Sequence, residues 1–75
     1  MKLPLISGRT CVQALNGIGF MIDRQNGSHI ILRRDEPVPA RTVVVPDHRE
    51  LDRGTLGGII RQAGVTSEEF VLLLD

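Results

Sequence analysis

Two histidines and one cysteine are the most reactive side chains of this 75-residue sequence, and they lie far apart in the chain. His29 follows Cys11 by 18 positions, and His48 follows His29 by 19. Zinc ligands usually come in closely spaced pairs, so we expect neither a metal site nor a cofactor. Cys11 shares the apolar side of a helical pattern with Val12 and Leu15, which predicts a buried structural thiol. The histidines are therefore the candidates for chemistry.

His29 follows Asn26-Gly27, a dipeptide typical of tight hairpin turns, and it begins a strand-like segment. A turn centred on that dipeptide would place Arg24 opposite His29 on one face of the sheet, with Arg33 further along. A histidine exchanges protons near neutral pH, and a guanidinium stabilises phosphate charge. Together they are the minimal equipment for cleaving RNA without a metal. From these residues alone, a surface histidine without a role is the alternative.

His48 is the second candidate, because it follows Pro46-Asp47 at the end of a third predicted strand. Its imidazole either caps the next helix or bonds a backbone carbonyl, or it supports the substrate or partner surface.

The charge of the chain is divided between its two ends. The first 34 residues carry five basic side chains against Asp23 alone, a balance of +4, and the remainder carries −4. A basic stripe is compatible with a polyanionic ligand. The longest apolar run is Phe70–Leu74, too short for a membrane span. Without an export signal, the sequence predicts a cytoplasmic protein.

The elements that must position these residues follow from hydrophobic periodicity and local end signals. A helix begins after Ser7 and stops at Gly17, and a second carries Leu56 to Ala63 and stops at Gly64. Three strands lie between the helices. They are predicted over residues 20–24, 28–33 and 41–45.

The predicted fold is therefore α+β, with the order α-β-β-β-α in a single domain of residues 1–75. Three antiparallel strands with both main helices on one face bury the apolar surfaces most simply. A capping box at Thr66–Glu69 adds a short terminal helix. Gly57 and Gly58 weaken the second helix, which we interpret as a place where it lies close to the sheet.

Several segments occur in the order found in a known family. They are Gly19-Phe20, Arg24-Gln25-Asn26-Gly27-Ser28-His29, Val44-Val45-Pro46-Asp47-His48, Gly54-Thr55-Leu56, Ile59-Ile60-Arg61-Gln62-Ala63-Gly64 and Thr66-Ser67-Glu68-Glu69-Phe70. Together they resemble the HicA family, also called YcfA-like, over most of the chain. The combination of Gly-Ser-His with a later Val-Pro-x-His is what makes the resemblance specific.

The resemblance implies a toxin of a type II toxin–antitoxin pair with a fold like that of the double-stranded-RNA-binding domain. Such toxins are ribosome-independent mRNA interferases, metal-independent endoribonucleases that cleave mRNA or other single-stranded RNA. His29 matches the catalytic histidine, and a HicB-type antitoxin would cover it. The residues expected to bind RNA are Lys2, Arg24, Gly27, Ser28, Arg33 and Arg34, with His48 in support.

Two other classes remain open: a non-catalytic RNA-binding module and a protein-interaction domain of the same fold. Double-stranded-RNA binders usually place a lysine cluster at the start of the second helix, where this chain offers only Arg53 and Arg61. Zero net charge suits a protein-interaction domain.

Overall fold

A three-stranded sheet with helices before and after it forms the computed structural model, which describes residues 2–74. The elements are α1 (Gly8–Asn16), β1 (Met21–Asn26), β2 (His29–Arg34), β3 (Arg41–Pro46), α2 (Arg53–Ala63) and α3 (Ser67–Leu72). The strands pair antiparallel in the order β1-β2-β3. The predicted α+β order is confirmed. Met1 and Asp75, the ends of the predicted domain, lie outside the described residues.

Each helix begins at a side chain that accepts a hydrogen bond from the backbone N–H three residues on. The acceptor is Ser7 for α1 at 3.0 Å, Asp52 for α2 at 2.8 Å and Thr66 for α3 at 3.0 Å. Thr66 forms the predicted capping box, since the Glu69 carboxylate accepts from the Thr66 N–H at 2.8 Å. These bonds satisfy N–H groups that have no partner within the helix, and so they set where each helix starts.

The core lies between the two main helices and one face of the sheet. Ile30, Leu32, Val43 and Val45 point toward the helices and are at most 2% exposed. Strand side chains alternate between faces, so the residues between them point to the other face. Among residues 2–74, the buried residues of the hydrophobic core are Cys11, Val12, Ala14, Leu15, Phe20, Ile30, Leu32, Val43, Val45, Leu51, Leu56, Ile59, Ile60, Ala63 and Phe70.

The turn between β1 and β2 is centred one residue later than the sequence predicted. Gly27 and Ser28 are the central residues, and Gly27 has a φ of 63°. A positive φ at the first central residue is typical of a type II′ turn, which favours glycine there. His29 therefore faces Asn26 directly, whereas Arg24 faces Ile31.

Pro46 is part of β3 and does not end it at Val45 as expected. β3 is an edge strand, and its pairing alternates between residues whose N–H points to β2 and residues whose N–H points outward. The Asp47 N–H donates to the Ser28 carbonyl at 2.6 Å, so the nitrogen of Pro46 faces the free edge. A missing donor costs nothing there.

The close approach predicted for Gly57 and Gly58 is wrong. A Cβ on either glycine would meet only the Arg61 guanidinium of the same helix, at 3.8 Å. The close approach lies instead at Gly8, where a Cβ would overlap the Pro46 carbonyl oxygen. Gly8 also donates its N–H to the His48 carbonyl at 2.9 Å. The start of α1 is thus pressed against the end of β3.

Candidate active site

The face of the sheet away from the helices is open and carries the candidate residues. In β2, Ile30 and Leu32 are buried against the helices, so His29, Ile31 and Arg33 lie on the open face. All six residues of β1 are exposed, so the β1 edge of this face is open to solvent. A large ligand can therefore approach His29 without a rearrangement of the fold.

His29 is held by its backbone and not by its side chain. It pairs with Asn26 on one side and with Pro46 on the other, as the first residue of the central strand. The preceding carbonyl, of Ser28, accepts the bond from Asp47. The imidazole is exposed and forms no hydrogen bond with any of residues 2–74. The backbone at His29 is therefore anchored, and both ring nitrogens are free to exchange a proton with a ligand.

Arg24 is on the same open face as His29 but is a diagonal neighbour, not the directly opposite residue that the sequence predicted. It faces Ile31, because the hairpin turn is shifted by one residue. Its guanidinium lies 3.3 Å from the Asp23 carboxylate, and the side chain stays 68% exposed. Such an exposed ion pair is weak and leaves the guanidinium available to a phosphate.

The other predicted RNA-binding cations do not all share the open face with His29. Arg33 is on the open face, paired with Asp35 at 2.6 Å. Arg34 is on the helix side. Its guanidinium lies 4.6 Å from the centre of the Phe20 ring and donates to the Ile18 carbonyl, between α1 and β1. Lys2 precedes Leu3, whose carbonyl accepts from Arg53 at the start of α2. The structure thus puts Arg24 and Arg33 on the open face with His29, puts Arg34 on the helix side, and leaves Lys2 next to a residue bonded to the start of α2.

The predicted turn residues Gly27 and Ser28 form the tip of the hairpin immediately before His29. Ser28 is tied by its carbonyl to Asp47, the residue before His48. The hairpin tip and the end of β3 therefore lie side by side. His29 and His48, 19 positions apart in the chain, come to the same end of the sheet.

A polar cluster that sequence reasoning missed supports this end of the sheet from the helix side. The Asp47 carboxylate accepts from Arg9 of α1 at 3.0 Å and from the Gln25 amide at 3.5 Å. Arg9 and Asp47 are 38 positions apart, so no local pattern announces their contact. The cluster joins α1, β1 and the segment after β3 beneath the candidate site.

Cys11 plays no part in this site. Its side chain is buried in the core, and this burial raises the pKa of the thiol to about 12. A thiol with that pKa is protonated near neutral pH and is a poor nucleophile. Among residues 2–74, no three His, Cys, Asp or Glu side chains come together in a group suited to a metal ion. Nor does that part of the chain contain a helix long and apolar enough to cross a membrane.

The fold and the exposed histidine define a small α+β protein with one open sheet face. A family model described as "HicA toxin of bacterial toxin-antitoxin" matches residues 8–65, which is most of the chain and includes every strand and both main helices. The chain therefore belongs to the HicA toxin family, and it is a toxin whose partner is an antitoxin. A search of curated proteins finds no match.

Proposed function

We propose that this toxin is a ribosome-independent mRNA interferase, an endoribonuclease that cleaves single-stranded RNA with His29 as a general acid or base. The proposal is supported by an exposed His29 that begins the central strand with an uncommitted imidazole, within a Gly-Ser-His segment that resembles that of HicA toxins. The reaction needs proton transfer at a phosphodiester and no cofactor.

The cations of the open face supply the second requirement, stabilisation of phosphate charge. Arg24 is the nearest candidate in register, one pleat from His29, and Arg33 follows at the far end of β2. Their carboxylate partners are exposed, so a phosphate that binds there competes only with weak ion pairs. Fixed positive charge beside the reacting phosphate stabilises the transition state.

The antitoxin is proposed to be of the HicB type and to cover the open face. Free access to His29 makes the toxin active, so a protein seated over that face would exclude RNA by steric overlap. Binding to the folded toxin alone also stabilises it, by about 2.7 kcal/mol at a hundredfold excess over Kd. Co-expression should therefore both restore growth and raise the melting temperature.

The test compares wild-type protein with His29→Gln and with Gln13→Ala, an exposed position of α1 remote from His29 in the sheet. Purified proteins are incubated with end-labelled RNA, with and without EDTA, and the same variants are expressed in a growth assay. Loss of a positioned acid or base costs about 10²–10⁴ in rate, so His29→Gln should be nearly inactive and non-toxic. Gln13→Ala should match wild type, and EDTA should have no effect.

The alternatives give different results in the same assay. RNA binding without cleavage by wild-type protein would favour a non-catalytic RNA-binding module. Neither binding nor cleavage, with antitoxin binding retained, would favour a protein-interaction domain. Cleavage at the wild-type rate by a folded His29→Gln variant would remove His29 from the mechanism.

A further inference from the structure

The segment that follows β3 keeps the hydrogen-bond directions of a strand as far as His48. The Asp47 N–H points to β2 and donates to Ser28. The carbonyls of Pro46 and His48 both point to the opposite edge, where Gly8 contacts the first and bonds the second. Alternating directions of this kind are the signature of a strand, so side-chain alternation continues through His48.

This alternation decides on which face His48 lies. Asp47 is on the helix side, where it meets Arg9 and Gln25. Pro46 and His48, on either side of Asp47, therefore lie on the open face. His29 faces Pro46 in register on that same face.

His29 and His48 are consequently diagonal neighbours across the β2–β3 pair. Such neighbours are roughly 7–8 Å apart, with their Cβ atoms somewhat closer. Gly27 lies in the adjoining hairpin turn, has no side chain and has open space around it. Two imidazoles at this separation can address opposite sides of one phosphodiester. His48 is itself exposed, and its ring forms no hydrogen bond with any residue from 2 to 74.

We propose that His48 is the second proton-transfer residue of the toxin and acts in concert with His29. The inference rests on the proposed endoribonuclease function and completes it, because one histidine does not readily serve as base and acid in a single step. One histidine accepts the proton of the RNA 2′-hydroxyl while that oxygen bonds to phosphorus. The P–O5′ bond breaks, and the other histidine gives its proton to the departing 5′ oxygen. The products are a 2′,3′-cyclic phosphate and a 5′-hydroxyl, with no further reactant.

Charged groups lie near both rings. Arg24, with its Asp23 partner, lies one pleat from His29 on β1. On the β3 side, Asp47 is turned to the helix side and held by Arg9. Arg49 and Glu50 directly follow His48 and are exposed. Within residues 2–74 no helix packs over the open face where the two rings lie, so the charged groups near the rings come from β1 and the segment after β3.

The test uses two RNA substrates that differ at the cleaved bond. The first is an ordinary oligoribonucleotide with a mapped cleavage site, and the second carries sulfur in place of the 5′ oxygen at that site. A thiolate leaves without a proton, so the second substrate does not need a general acid. Wild type, His29→Gln and His48→Gln are compared on both, with Gln13→Ala as the control and His48→Asn as a second variant. Thermal melts confirm that each variant is folded.

We expect both histidine variants to lose about 10²–10⁴ in rate on ordinary RNA. On the sulfur substrate, the variant that lacks the acid should recover to within about tenfold of wild type, and the variant that lacks the base should not. The wild-type rate should follow a bell-shaped pH profile, with one limb missing in each variant.

Three outcomes are decisive against this inference. One is a folded His48 variant that cleaves ordinary RNA at the wild-type rate while His29→Gln is inactive. Another is equal loss by both variants on both substrates with both limbs of the pH profile retained. The third is a wild-type protein that cuts RNA with a 2′-deoxy nucleotide at the mapped site, because that substrate lacks the attacking hydroxyl. Failure of wild type to cleave any RNA would instead overturn the proposed function itself.

Discussion

Gly8→Ala adds only one methyl group, but it should destabilise this protein strongly. A methyl group at Gly8 would overlap the Pro46 carbonyl oxygen and would lie 3.1 Å from the carbonyl carbon and 3.3 Å from the Asp47 Cα. All three neighbours are backbone atoms, so no side chain can rotate away. The start of α1 must move off β3, and the bond from Gly8 to His48 lengthens or breaks.

The size of the effect follows from two contributions. Forcing a methyl group into packed structure typically costs about 1–3 kcal/mol. Loss of the backbone hydrogen bond adds about 1 kcal/mol. The expected total is about 2–4 kcal/mol, and each kcal/mol lowers the Tm of a domain this small by roughly 4–8 °C. We therefore expect the Tm to fall by about 10–30 °C.

The measurement is urea unfolding and thermal melting of Gly8→Ala beside Gly58→Ala as a matched control. The same substitution should act with the opposite sign at Gly58, where a Cβ would make only an ordinary contact with the Arg61 guanidinium at 3.8 Å. Alanine there removes a poor helix former and should stabilise α2 by up to about 1 kcal/mol. If Gly8→Ala melts within 2 °C (roughly 0.5 kcal/mol) of wild type, the backbone contact argued for it does not exist.

Three further outcomes are expected. Hydrogen bonds from backbone N–H groups lower the pKa of Asp52 below its ordinary 3.8 and the pKa of Glu69 below its ordinary 4.5. Both carboxylates therefore stabilise the fold at pH values above their ordinary pKa, and this stabilisation is lost as the pH falls through the lowered pKa. The urea midpoint of wild type should therefore drop as the pH falls below about 4, and it should drop less in a variant that carries both Asp52→Asn and Glu69→Gln. A wild-type midpoint that does not change with pH would contradict this expectation. Cys11 should resist alkylation at pH 8 until the protein is denatured, because burial raises its pKa to about 12; rapid labelling of native protein would show an accessible thiol. Arg24→Ala should reduce the slope of log K against log salt for RNA binding by about 0.7, which corresponds to one phosphate contact. Arg34→Ala should lower the Tm and leave that slope unchanged. Equal slopes for the two variants would contradict the assignment of RNA binding to the open face.

Most of the secondary structure was predictable because its signals are local. Ser7, Gly64 and the Thr66–Glu69 pair mark helix ends through bonds made within a few residues. The hairpin was predictable for the same reason, but its centre was misplaced by one residue. Asn26-Gly27 and Gly27-Ser28 both suit tight turns, and the choice between them depends on the register that buries Ile30 and Leu32.

The sequence alone also predicted His29 as the candidate for chemistry, through its residue type and the Gly-Ser-His segment that it ends. It could not show which cations accompany His29, because adjacent arginines on a strand look alike until one face is buried. Arg33 and Arg34 lie on opposite faces for that reason. Only the tertiary structure brought Asp47 to Arg9 and put His48 at the same end of the sheet as His29, since the proximity of residues 19 to 38 positions apart depends on strand pairing and helix packing and not on local pattern.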